Sequence, residues 1–135
     1  MYKYLSIYDN PIVEILPKST RGRFKIIVPI KHTLANGVQL IIPIDYISNG
    51  ASIPKLLRGI FSQQGVYLMP SIVHDYLYDN NLYSREFVDR QFLLDMGKVG
   101  TNKFTKWLFY YVIRIFGGLN WNKSKKKLNN GRTYN

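Results

Sequence analysis

The chain contains no cysteine. That excludes a disulfide framework, a thiolate metal site and a cysteine nucleophile, and it leaves the redox compartment open. Long apolar runs are also missing: the longest, Trp107 to Ile113, falls far short of the ~18–20 residues that cross a bilayer. The first residues, Met1-Tyr-Lys-Tyr-Leu-Ser-Ile-Tyr8, lack the apolar segment of a signal peptide. These absences predict a protein with no membrane span that is made in the cytoplasm. There is no phosphate loop, dinucleotide fingerprint, CxxC or HExxH. Acidic residues are scarce, 8 against 19 Lys and Arg, for a net charge of +11. From Val99 to Asn135 there is no Asp or Glu, yet there are eight Lys or Arg. An end of this kind suits an acidic protein surface, nucleic acid or an anionic membrane; the competing reading is a solubilising tail.

What is present suits one domain. A length of 135 residues fits a single core, and 46% hydrophobic residues with eleven Tyr supply enough to bury. Residues 1–50 read as β. Tyr4–Tyr8 and Ile12–Leu16 are short runs closed by Asn10-Pro11 and Pro17, while Phe24–Ile30 and Val38–Ile42 are rich in β-branched residues. Asn36-Gly37 predicts a hairpin between the last two, since both residues tolerate positive φ. Pro29 and Pro43 cannot donate to a ladder and favour edges or strand ends. His32, near this hairpin, reads as a surface residue.

The second half reads as helical. Ser52 before Ile53-Pro54 has the form of an N-cap with proline in the first turn, opening a short helix from Lys55 to about Ser62. A second helix is predicted from Pro70-Ser71 to about Asp79, stopped by Asn80-Asn81. Ser84 caps a third, through Met96, ended by Gly97; Thr101 caps a fourth, Asn102 to Phe116, ended by Gly117-Gly118. Beyond Trp121, which has a ring to dock, the Lys125-Lys-Lys127 tail has little to bury and is expected to be flexible.

Several polar residues fall on apolar helical faces. Asp89, Phe92, Leu93 and Met96 stand at i, i+3, i+4 and i+7, which directs the aspartate toward the core. A buried carboxylate is costly unless it is paired. In the fourth helix Phe104, Trp107, Leu108, Tyr111 and Ile115 form a stripe that reads as core packing in preference to a membrane-binding face, and Arg114 shares the side of Trp107 and Tyr111. His74 and Asp75 lie in a helix otherwise made of Ile, Val, Tyr and Leu.

Three readings of these groups compete. In the first, Asp89 accepts from His74 or Arg114 and the network locks the helices together. In the second, His74 with Asp75 or Asp89 holds a divalent metal that activates water. In the third, Ser52 is a nucleophile with His74 as its base, oriented by Asp89. No nucleophile-elbow motif surrounds Ser52, and capping already accounts for it. A pocket that binds without reaction would draw on Asn49 and Ser52 at the helix start, where free N–H groups face an anion, and on Arg114.

Ile42-Pro43, Tyr46-Ile-Ser48-Asn49-Gly-Ala51-Ser52-Ile53-Pro54, His74-Asp75-Tyr-Leu-Tyr78, Arg85, Asp89, Phe92, Met96 and Val112-Ile-Arg114-Ile-Phe116-Gly117 together resemble the domain-of-unknown-function 1353 family. The resemblance covers roughly residues 24–121 and implies an origin in a bacteriophage or prophage. It points to Ser52, His74, Asp75 and Asp89 without implying a mechanism. Members usually carry aspartate where this chain has Asn49, so a metal site needing that carboxylate loses it here.

The expected fold is α+β: a small, mostly antiparallel N-terminal sheet packed by three or four helices over residues 1–121, then a flexible basic tail, 122–135. The expected function is that of a phage-encoded accessory or virion-associated protein. It would be made in the host cytoplasm and act by binding a larger phage or host protein assembly. One alternative is a metal-dependent hydrolase, against cell wall or a nucleotide, centred on His74, Asp75 and Asp89. Another is nucleic-acid binding through Lys123, Lys125, Lys126, Lys127 and Arg132.

Overall fold

Prolines and polar turns interrupt the β-branched runs of the N-terminal half, so its strands are short. The computed structural model describes residues 3–16, 24–48, 68–119, 121–123 and 125–126. Strands β1 (Val13–Ile15), β2 (Phe24–Ile26) and β5 (Ile47–Ser48) form one antiparallel sheet in the order β1-β2-β5. Strands β3 (Ile30–Thr33) and β4 (Gln39–Ile42) form a separate antiparallel hairpin. The single strand expected over Phe24–Ile30 is therefore two, divided at Pro29, which has no N–H to continue a ladder. The run Tyr4–Tyr8 contributes only one bridge, Leu5 beside Ile30. There the Asp9 carboxylate draws the chain into a turn by accepting from Ser6 N (2.7 Å) and Ser6 Oγ (3.1 Å).

The β3–β4 hairpin closes as predicted, by a different turn. Gly37 N donates to Leu34 O and Leu34 N to Val38 O, both at 2.9 Å. Gly37 takes φ +85° while Asn36 does not enter the left-handed region. This is a three-residue connection with a left-handed glycine, in place of a two-residue turn with both centres at positive φ.

Helix α1 (Leu68–Asn80) ends at Asn81, which adopts φ 55°. Helix α2 (Arg85–Lys98) starts at Ser84, whose side chain accepts from Phe87 N at 3.1 Å. It continues through Gly97 and stops before Gly100, at φ +86°, so the left-handed exit lies three residues later than expected. Helix α3 (Lys103–Phe116) is capped by Asn102, not Thr101: Asn102 Oδ1 accepts from Thr105 N at 2.8 Å, whereas Thr101 is buried with its hydroxyl toward Met96. The chain is helical again at 118–119, 121–123 and 125–126. Trp121 packs edge-on against Tyr78, with ring centroids 5.1 Å apart. The helix expected at 55–62 lies outside the described residues.

The main core joins both sheets to α1. Leu5, Ile26, Ile30, Leu34, Leu40 and Ile42 pack with Met69, Ile72, Val73, Leu77 and Tyr78. A second cluster, Phe92 and Met96 of α2 with Phe109 and Ile113 of α3, joins the last two helices. Both pairs are spaced i, i+4, so each presents one helical face to the other. Of the stripe expected to make this contact, only Leu108 packs against the cluster. Phe104, Tyr111 and Ile115 are 78%, 56% and 71% exposed, and Trp107 is exposed beside them. Helix α3 is apolar on two sides, and only one of them can meet α2. Among the described residues no helix is long and apolar enough to cross a membrane. The arrangement is α+β.

Candidate functional site

Asp89 lies on the buried edge of α2 between α1 and α3 and is 0% exposed. His74 and Tyr78, one turn apart on α1, both reach its Oδ1, His74 Nε2 at 2.8 Å and Tyr78 Oη at 2.6 Å. Arg114 of α3 donates from Nη1 to Oδ2 at 2.8 Å, and Arg85 Nε stands 3.6 Å from the same oxygen. An ionised carboxylate can only accept, so the Nε2 of His74 carries the shared hydrogen. The imidazole is held between Tyr78 and Phe92, with centroid distances of 4.2 and 5.1 Å. Burial works to raise the Asp89 pKa. The hydrogen bond and charge of His74, with hydrogen bonds from Tyr78 and Arg114, outweigh it and hold the carboxyl below the usual range. The same bond to Asp89 raises the pKa of Arg114, and burial, then Asp89, raises that of Tyr78.

Asp75 does not join this cluster. The next residue along a helix points to a different side, and Asp75 turns toward β5, where Ser48 Oγ donates to its Oδ2 at 2.6 Å. One turn later, Asp79 accepts from Tyr46 Oη at 2.6 Å. His74, Asp75 and Asp89 therefore do not converge on one point. Among the described residues no group of three or more His, Asp or Glu is placed to hold a metal ion. A divalent ion at Asp89 would have to displace Tyr78, His74 or Arg114 from the carboxylate. Of the remaining candidates, Arg114 is engaged with Asp89, and Lys123, Lys125 and Lys126 are exposed. Asn49, Ser52, Lys127 and Arg132 lie outside the described residues, and with them the nucleophile reading.

A second His–Asp pair went unread in the sequence. His32, expected at the surface, is buried, with Nε2 2.8 Å from Asp95 Oδ1. Gln91 donates to the same oxygen at 2.9 Å and accepts from Ala35 N at 2.8 Å. The other oxygen of Asp95 is buried without a partner. Two periodicities could have revealed the pair. Ile30 and His32 share the inward face of β3, and Val88, Gln91, Phe92 and Asp95 stand at i, i+3, i+4 and i+7 on α2. His32 also borders a shallow cleft of about 240 Å³, with Ser6, Ile7, Tyr8, Lys31, Thr33 and Lys98.

Arg85 is the other residue whose role was missed. Its Nη2 donates to the carbonyls of Ile113 (2.9 Å) and Arg114 (2.6 Å), supplying donors to the last turn of α3. Its Nε also bonds Tyr78 Oη at 3.3 Å, so it joins the end of α3 to the Asp89 cluster.

No curated protein and no solved structure matches the chain. The model of one family, described as a protein of unknown function, DUF1353, matches residues 24–113, from β2 into α3, a span that holds both His–Asp pairs. The chain belongs to the DUF1353 family.

Proposed function

We propose that this is a phage-encoded accessory protein, associated with the virion, that acts by binding a larger protein assembly and uses its His–Asp clusters as scaffold. The observation that carries this reading is the occupancy of Asp89. Both of its oxygens already accept from neighbouring side chains, and the residue is 0% exposed. A metal ion or substrate would have to reach a carboxylate that solvent does not touch and that already accepts three side-chain hydrogen bonds. Surface available for binding lies elsewhere and includes the exposed Lys123, Lys125 and Lys126. The phage origin rests on the resemblance of the motif residues to that family.

Mass spectrometry of purified particles tests the assembly role; a chain absent from the particle removes the virion association. Metal analysis tests the scaffold role. About one tightly held ion per chain, lost in both His74→Ala and Asp89→Asn, would replace this reading with a metal-dependent hydrolase. A second reading, nucleic-acid binding, is favoured by the three exposed lysines close together on helical chain. It predicts affinity that falls steeply with salt.

A further inference from the structure

The outer side of α3 carries a continuous apolar surface. Phe104, Trp107, Tyr111 and Ile115 recur at i, i+3, i+7 and i+11, a stripe ~16 Å long. Trp107 contacts Tyr111 and Tyr110 at centroid distances of 5.9 and 5.7 Å, so the rings form one patch and not scattered singles. Phe116 (62% exposed) and Leu119 (75% exposed) add apolar surface at the C-terminal end. A contiguous exposed patch of this kind marks a surface that something covers.

Charge and shape select the occupant. Lys103 and Lys106 lie on α3, Lys123, Lys125 and Lys126 follow it, and no acidic residue occurs from Val99 to the end of the chain. A second copy laid on this face would bring cations against cations. An anionic surface is attracted to it. The face is the convex side of a single helix, which a protein partner could cover only with a matching groove; a lipid headgroup layer deforms around it. Lys106 turns toward Gly97 of α2, but Lys103 flanks the stripe and Lys123, Lys125 and Lys126 are exposed beyond it. Trp, Tyr and Phe on one side of a basic, acid-free helical end is the composition of a helix lying in the plane of a membrane interface. At ~21 Å, α3 is too short to span the hydrocarbon layer and long enough to lie along it.

We propose that the Phe104–Trp107–Tyr111–Ile115 face of α3 binds the surface of an anionic lipid bilayer, with the neighbouring lysines held at the headgroups. This rests on the reading that the protein acts by binding, and it names a partner different from the protein assembly proposed above.

The test is flotation of the full chain with phosphatidylcholine vesicles, with and without phosphatidylglycerol. Tryptophan emission would be followed in a Trp121→Phe background that leaves Trp107 as the reporter. The expected result is binding that requires phosphatidylglycerol, a blue shift of Trp107, and an affinity at least tenfold weaker in Tyr111→Ser/Ile115→Ser, whose exposed positions leave the core untouched. No binding to phosphatidylglycerol vesicles would overturn the proposal. So would binding unchanged in the double variant, which would assign the effect to the lysines alone. A wild-type dimer in sedimentation that the double variant dissolves would also overturn it, in favour of a second copy. Particles that contain the chain while vesicles fail to bind it would sink the bilayer and leave the binding reading standing.

Discussion

Arg114 on α3 donates to the carboxylate of Asp89 on α2 at 2.8 Å, from a side chain 34% exposed to one that is fully buried. The pair is asymmetric. Losing Arg114 leaves Asp89 its bonds from His74 and Tyr78, whereas losing Asp89 strands donors from two helices. Asp89→Ala should therefore destabilise the fold by roughly 3–5 kcal/mol. Arg114→Met should cost on the order of 1 kcal/mol, because solvent already screens the arginine. Urea denaturation of both variants checks the order. Equal losses would mean that the two residues act only as a pair.

Acid should weaken this junction. The Asp89 carboxyl is held below its ordinary value of 3.8 in the folded protein and returns there on unfolding. A group depressed in this way contributes stability that is present above the unfolded value and lost as pH falls through the folded one. The wild type should lose this contribution below about pH 4. Asp89→Asn, with no carboxyl to protonate, should show a shallower decline over that range. Thermal melts of the two proteins across the acid limb compare the slopes, and parallel curves would count against Asp89 as the source.

The second pair predicts the opposite ranking of its partners. Without His32, Asp95 would keep Gln91 as a donor while its other oxygen has none, leaving a buried charge under-satisfied. His32→Phe should cost roughly 3–5 kcal/mol. Asp95→Asn removes the charge and leaves neutral groups, so about 1–3 kcal/mol is expected. Chemical denaturation separates them; a larger loss in Asp95→Asn would contradict this account.

Two adjacent glycines should respond differently to alanine. A Cβ on Gly117 would lie 2.5 Å from the Ile113 carbonyl oxygen and 3.0 Å from the Tyr78 hydroxyl, while one on Gly118 would meet nothing closer than Arg85 at 3.6 Å. Gly117 has φ −74°, so space and not backbone freedom is what an alanine would lack. Gly117→Ala should destabilise by about 1–3 kcal/mol through overpacking. Gly118→Ala should stay within about 0.5 kcal/mol of wild type. Melting curves of the two variants decide it.

The sequence displayed the Asp89 site better than the face of α3. An aspartate in line with Phe92 and Met96 has few ways to be buried, so periodicity alone predicted partners such as His74 and Arg114. Tyr78 and Arg85 escaped because their hydroxyl and guanidinium reach the cluster from residues whose positions read as ordinary packing and surface. Helix α3 misled because both of its sides are apolar. The pattern of Phe104, Trp107, Tyr111 and Ile115 is as regular as a core stripe, and which side meets α2 is decided by the complementary Phe92 and Met96. His32 was misread for a related reason: proximity to a turn suggested exposure, whereas strand alternation with Ile30 fixed it inward. Turn and cap positions moved by one to three residues because neighbouring groups, Thr101 with Asn102 and Gly97 with Gly100, offer equivalent chemistry.

Helix α2 holds a buried carboxylate toward each half of the molecule, Asp89 to the helices and Asp95 to the hairpin. Neither half can open without uncovering one of these charges, while α2 keeps the other contact. The amide protons along its buried edge should then exchange with solvent only in the global unfolding event, and those of β1 and β5 much sooner. The molecule would come apart from its margins inward, with α2 the last helix to release its hydrogen bonds.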